Sequence, residues 1–247
     1  MNSIIEIESL FKNYPKSQKS AVSDVNLSVF SGEKFGIFGP NGAGKTTLIS
    51  IMCGILKPTG GNVSYYLNNG SVDVKLALKD IGYVPQDFAF YPELTADQNL
   101  TYFGTMYGVN SQNLTKKIDL ILDKLGLSHV KHKKVMTFSG GMKRRINLAI
   151  GILNDPKILF LDEPTVGVDV QSKHAIFQLL EELNQKGTTI LYTSHHLKEA
   201  EDFCDRIALI DDGQIIGLGT LQELTNQHKV QNLEELLIFL TGKNLRD

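Results

Sequence analysis

Three short runs carry residue types whose spacing could do chemistry. Gly39 to Thr46 reads GPNGAGKT and satisfies G-x-x-x-x-G-K-[ST]. Glycines there let successive backbone N–H groups turn inward and cradle phosphate oxygens, and a helix beginning near Lys45 would aim its positive dipole end at them. Lys45 would neutralise terminal phosphate charge, and the Thr46 hydroxyl could ligate magnesium. The bare pattern arises by chance in roughly one chain in a hundred of this length, so context decides. A strand-like run, Lys34 to Phe38, precedes it and a helical run, Lys45 to Cys53, follows. ILFLDEP, Ile158 to Pro164, is an apolar strand ending in two carboxylates. Such a strand would deliver Asp162 to the phosphate site, to hold magnesium through water, and Glu163 to polarise an attacking water. FSGGMKRR, Phe138 to Arg145, places Ser139, Gly140 and Gly141 before an apolar helix, a second helix start with exposed backbone donors suited to an anion.

The elements that must position these runs alternate. Period-two patterns at Ile5, Ile7 and at Val25, Leu27, Val29 read as strands, as do Val63 to Leu67 and Ile81 to Val84. Turn residues flank that third strand at Thr59-Gly60-Gly61 and Asn68-Asn69-Gly70. From Thr95 to Leu153 the pattern is mostly helical, opened by a Thr95–Gln98 capping box. Leu114, Ile118, Ile121, Leu122 and Leu125 form a core stripe within it. The Lys131-His132-Lys133-Lys134 cluster reads as a solvated loop. Strands at Ile158 to Leu161 and Thr189 to Thr193 then alternate with helices at Gln171 to Gln185 and Leu197 to Cys204. A hairpin turns at Asp212-Gly213, and Thr220 with Glu223 caps a last pair of helices. This order predicts an α/β fold with a mainly parallel sheet and a helical insertion. The expected division is a catalytic core over 1–86 and 154–219, a helical subdomain over 87–153 and a helical tail over 220–247.

Composition narrows the function classes. Lys plus Arg number 25 against 27 Asp plus Glu, for a net charge of -2, so no nucleic-acid partner is expected. Two cysteines, Cys53 and Cys204, make no disulfide framework and read as reduced thiols. No run approaches the ~20 apolar residues that cross a bilayer, and the start lacks a basic leader.

The three runs, in this order and at this spacing, resemble the ATP-binding subunits of ABC transporters over nearly the whole chain. The resemblance implies a P-loop NTPase core with an antiparallel N-terminal β layer. It also implies ATP and Mg2+ as cofactors, with nucleotide held by Gly39, Pro40, Asn41, Gly42, Ala43, Gly44, Lys45, Thr46 and Thr47. Tyr14, in FKNYP, looks like the family's adenine-stacking aromatic. Gln86, in GYVPQ, is similar to the glutamine that reaches magnesium and the attacking water, making Thr46, Gln86 and Asp162 the metal set. His195, in YTSHH, matches the switch histidine at the γ-phosphate, beside Glu163 and Gln86 as the catalytic group. Ser139, Gly140 and Gly141 would face the phosphates of a second copy, and Asp169 would lie in the loop that crosses to it. Phe138, Met142 and the Val166-Gly167-Val168-Asp169 loop depart from the commonest pattern and, with YPELTADQNL and the tail LEELLIFLTGKNLRD, resemble an exporter branch handling drugs, polysaccharides, lipids or sodium. The implied partners are a second ATPase subunit and an integral membrane permease on a separate polypeptide, with this chain peripheral on the cytoplasmic face. A soluble cassette acting in translation or DNA maintenance is the alternative. An inactive adaptor would lack Lys45, Glu163 or His195, and a P-loop kinase would not need the Ser-Gly-Gly helix start.

Overall fold

A computed structural model describes residues 2–15, 18–67 and 70–242. The expected turn at Asn68-Asn69 and the last five residues of the tail lie outside them. In chain order the elements are β1 (Ser3–Lys12), β2 (Val22–Phe30), β3 (Lys34–Phe38), α1 (Lys45–Met52), β4 (Gly60–Leu67), β5 (Gly70–Val72), α2 (Val74–Ala77), β6 (Ile81–Val84), α3 (Ala96–Met106), α4 (Ser111–Lys124) and α5 (Gly140–Gly151). They continue with β7 (Ile158–Asp162), α6 (Val170–Gln185), β8 (Thr189–Ser194), α7 (Leu197–Phe203), β9 (Arg206–Asp211), β10 (Gln214–Gly219), α8 (Leu221–His228) and α9 (Leu233–Thr241). The chain forms two compact units, Met1–Leu78 with Thr189–Asp247, and Lys79–Thr188.

The first unit contains two groups of strands. An antiparallel sheet has the order β2-β1-β4-β5. In the other group β3 pairs in parallel with β8 on one side and β9 on the other, and β10 closes antiparallel on β9. The apolar run of β3 is explained by this middle position: Phe35, Ile37 and Phe38 are fully buried, as a strand covered on both faces requires. The β9–β10 hairpin turns at Asp212-Gly213, both at positive φ (43° and 80°), which suits the two-residue turns that match strand twist. Gly36 is packed so closely that an added Cβ would stand 2.8 Å from the Cys204 sulfur. Burial pushes that thiol far above its ordinary range, and Asp205 adds to the effect. Cys53, at the end of α1, is also buried.

In the second unit β6 and β7 pair in parallel, from Ile81 opposite Ile158 to Val84 opposite Leu161. The last turn of α5 lies against β6, since a Cβ on Gly82 would meet the Gly151 carbonyl oxygen at 2.2 Å. The expected core stripe of α4 is buried, Leu122 and Leu125 completely. The capping boxes at Thr95–Gln98 and Thr220–Glu223 both form. Two short elements, β5 and α2, were not anticipated, because three or four residues are too few to display a period. One expectation fails: Lys131 is not solvated but bonds Asp119 at 2.7 Å and Asp97 at 3.3 Å, while His132, Lys133 and Lys134 are exposed.

Asn99 organises the entrance to α3. It is fully buried; its Oδ1 accepts from Tyr91 N at 2.8 Å, and its Nδ2 donates to Tyr91 O at 2.9 Å and Thr95 O at 3.0 Å. Asn99→Ala leaves these groups unpaired in the interior. It is expected to cost about 1–3 kcal/mol, read as a lower midpoint in urea unfolding.

Candidate active site

The phosphate-loop residues lie in the first unit between β3 and α1. Their shape depends on two glycines. A Cβ on Gly39 would stand 2.0 Å from Ile210 O, and Gly44 sits at φ +108° with Ala21 O only 2.3 Å from where its Cβ would be. The second crowding comes from the backbone just before β2, so only glycine lets the loop close there. Gly213 N donates to Ala43 O at 2.9 Å, tying the loop to the β9–β10 turn. Lys45 is 6% exposed, and its ammonium donates to Gly39 O at 2.8 Å and Pro40 O at 3.0 Å. Asn41, Gly42 and Thr46 are exposed at the rim.

Tyr14 is 40% exposed, and its hydroxyl stands 3.4 Å from Thr47 Oγ1 on α1, so the sequence-distant tyrosine does reach the loop's helix. The Lys12 ammonium lies over its ring, 5.5 Å from the centroid. His195 is exposed after β8, its ring 4.1 Å from that of His196. The turn carrying it is shaped from below. Tyr192 Oη and Ser194 Oγ donate to Glu199 Oε2 at 2.6 and 3.2 Å, and His196 N donates to Ser194 Oγ at 2.9 Å.

The carboxylates lie in the second unit. All five residues of β7 are buried, with Asp162 1% exposed. Register places the next group: Val84 pairs with Leu161, so Gln86 and Glu163 each follow two residues beyond paired positions. Gln86 Nε2 indeed donates to Glu163 Oε2 at 3.3 Å. Glu163 holds φ +48°, left-handed backbone that a non-glycine residue adopts at a cost, and it is 7% exposed.

Ser139 is the N-cap of α5, accepting from Met142 N at 3.3 Å. Ser139 and Gly140 are exposed; Gly141 is buried, where a Cβ would meet Ser172 Oγ at 2.9 Å and Asp169 Oδ2 at 3.1 Å. Asp169 has a local structural role that the sequence reading omitted. It caps α6 through Ser172 N at 2.9 Å and Ser172 Oγ at 3.0 Å, and these bonds hold its carboxyl below the usual range.

Two further side chains, which the sequence motifs do not mark, hold the segment around Gln86. Asn147 donates to Pro85 O at 2.9 Å and accepts from Ala89 N at 3.1 Å. Arg144 donates to Gln86 O and lies over Phe88, 4.9 Å from the ring centroid. A signal existed: residues 144 and 147 are three apart, on one face of α5, where the neighbouring turns are apolar.

The loop between β3 and α1 and the carboxylates after a buried β7 define a P-loop nucleotide-hydrolysing protein. The family model for the ABC transporter domain matches residues 22–166. The linearmycin resistance ATP-binding protein of Bacillus subtilis is 40% identical over 91% of this chain and 71% of its own length. The Nod factor export ATP-binding protein I of Rhizobium etli is 35% identical over 90% and 70%. A dimeric ATP-binding cassette in a post-hydrolysis state with ADP and Pi superposes with a TM-score of 0.79 at 29% identity, covering 88% of this chain and 99% of that one. The chain belongs to the ABC transporter family, as an ATP-binding and ATP-hydrolysing cassette of the exporter type.

Lys45→Ala is expected to weaken ATP binding itself, because an ammonium at this place in the loop would neutralise phosphate charge. Tyr14→Ala is expected to weaken ATP and GTP alike, since stacking on a ring carries no hydrogen-bond code. Titration of both variants with fluorescent ATP and GTP analogues checks this, and parental affinity in Tyr14→Ala removes the tyrosine from the base site.

Proposed function

We propose that this cassette powers export through a separate membrane permease, with residues 39–47 and Tyr14 binding ATP and Glu163 activating water. The observation that carries the reading is the Gln86–Glu163 contact at 3.3 Å, set by strand register at the end of β7. An amide there can orient a water whose proton the neighbouring carboxylate draws off. As the water oxygen bonds to the γ-phosphorus, the bond to the bridging oxygen breaks and ADP leaves with it. His195 would contact the γ-phosphate from its own turn. A hard divalent cation fits the donor chemistry: Asp162, Gln86 and the Thr46 hydroxyl all offer oxygen. Among the described residues no cluster of three or more His, Cys, Asp or Glu forms a dedicated metal cage. Magnesium keeps waters and phosphate oxygens among its ligands and so needs few donors from the chain. When bound, it would neutralise phosphate charge.

ABC cassettes pair as dimers, as the dimeric neighbour does. Here Ser139, Gly140 and Gly141 would meet the ATP of a second copy head to tail, with Asp169 in the crossing loop. The permease would dock on 87–100. Phe88 and Tyr91 there are 43% and 45% exposed, and Phe88 stacks on Phe90 with centroids 5.3 Å apart. Exposed aromatic rings of this kind serve as interface anchors. No helix of the described residues is long and apolar enough to cross a membrane. The permease would hold this chain at the cytoplasmic face. Relatives named for linearmycin resistance and Nod factor export support export as the direction of transport, with the cargo recognised by that permease. The exporter-type assignment leaves a role in translation or DNA maintenance without support.

Glu163→Gln is expected to keep ATP affinity and lose roughly 10²–10⁴ in phosphate release. With ATP and magnesium the same variant should run as a dimer in size exclusion with light scattering, since each bridging ATP binds the dimer better than the monomer. Ser139→Arg added to it should leave a monomer. Parental turnover in Glu163→Gln rejects the catalytic assignment, and an unchanged mass rejects the sandwich. Tyr91→Asp, if folded and hydrolytic yet unable to support transport in membranes, places the docking surface on 87–100; transport that persists places it elsewhere.

A further inference from the structure

Arg144 is a guanidinium that the fold has little reason to keep. It is 6% exposed, and its Nε meets no acceptor. Among the described residues it forms no ion pair; Asp87, Glu163 and Asp162 attract it only at longer range. Its hydrogen bond goes to the carbonyl of Gln86, and its plane rests on Phe88. A desolvated, incompletely bonded charge destabilises a fold, and an apolar side chain of similar volume is usually neutral or better in its place.

The two neighbours on α5 differ from it. Arg145 donates to Leu125 O at 2.7 Å and Gly141 O at 3.3 Å, closing the end of α4 and its own helix. Asn147 clips both sides of the 85–89 segment, at Pro85 O and Ala89 N. Those bonds already fasten the segment to α5. What Arg144 adds is control of one peptide, that of Gln86, whose side chain meets Glu163 at 3.3 Å. Without that bond the Gln86 peptide can rotate between two fixed ends, and its amide loses its aim.

We propose that Arg144 is a positioning residue for hydrolysis: by holding the Gln86 carbonyl it fixes the reach of the Gln86 amide to Glu163. The inference rests on the roles given above to Glu163 and Gln86. It also gives α5 a second task. The helix that presents Ser139 and Gly140 at its start holds the glutamine peptide one turn further along, so both are carried by one rigid element.

The test uses the purified full chain and the variants Arg144→Met, Arg144→Lys, Asn147→Ala and Glu163→Gln, with kcat, KM for ATP and melting temperature measured for each. Methionine keeps the packing on Phe88 and removes the donor. Arg144→Met is expected to lose roughly ten- to a hundredfold in kcat, the scale of a small misplacement. Its KM should change much less than kcat, because residues 39–47 and Tyr14 are untouched and Gln86 would be one of several magnesium donors. Its melting temperature should be unchanged or higher, and Arg144→Lys, which can still donate to the carbonyl, should recover part of the rate. Asn147→Ala should melt lower, marking what a structural loss looks like. Parental kcat in Arg144→Met overturns the proposal, as does a fall in kcat accompanied by lower melting without rescue by lysine. If Glu163→Gln itself turns over normally, the assignment of Glu163 has failed instead, and the two failures are told apart.

Discussion

Side chains on parallel strands are fixed relative to one another by register, and one register matters most in this chain. Val84 lies opposite Leu161. The pairing ends there, so Gln86 and Glu163 emerge side by side, as neighbours in space though 77 residues apart in sequence. A slip of one residue would reverse the faces and separate the pair. Much of the second unit guards that register. Gly82 has no side chain because the last turn of α5 comes within 2.2 Å of where one would be. Asn154 donates to Ile81 O at 2.9 Å, and Lys157 N donates to Asp80 O at 2.8 Å, fastening the lower ends of both strands.

Around this pair the chain tolerates local costs that a purely structural sequence would avoid. Glu163 occupies left-handed backbone, and Arg144 is buried with an unsatisfied Nε. Both sit within a rigid frame of fully buried strand residues, which is what allows strain to persist rather than relax. The phosphate loop follows a different principle. Its glycines at 39 and 44 are dictated by backbone oxygens of Ile210 and Ala21, so its shape is imposed by distant segments of the same unit.

The sequence was most informative where chemistry demands a fixed order of residue types. The phosphate loop, the buried strand ending in Asp162, the N-cap at Ser139 and both capping boxes depend on local spacing, and each forms where that spacing places it. The mainly parallel core followed from the alternation of strands and helices, and the antiparallel layer from the family resemblance. What could not be read depends on tertiary contact. Lys131 looks like any basic loop residue until Asp97 and Asp119 are brought to it. Arg144 looks like a surface arginine in a basic tripeptide, because nothing local reveals the Gln86 carbonyl above it. The crossing-loop role that the resemblance implies for Asp169 gives no sign of its service as the cap of α6. β5 and α2 were too short to carry a pattern.

The two cysteines have a practical consequence. Cys53 is buried, and the Cys204 thiol, in a half-buried residue, is raised in pKa by desolvation and by Asp205. Maleimides and other thiol-directed dyes react with thiolate, so the native chain is close to silent toward them under mild labelling. A single cysteine introduced on the exposed surface would then take a fluorophore or spin label against almost no background. Distances in working cassettes could be followed by energy transfer or electron resonance without first removing either native sulfur from the core.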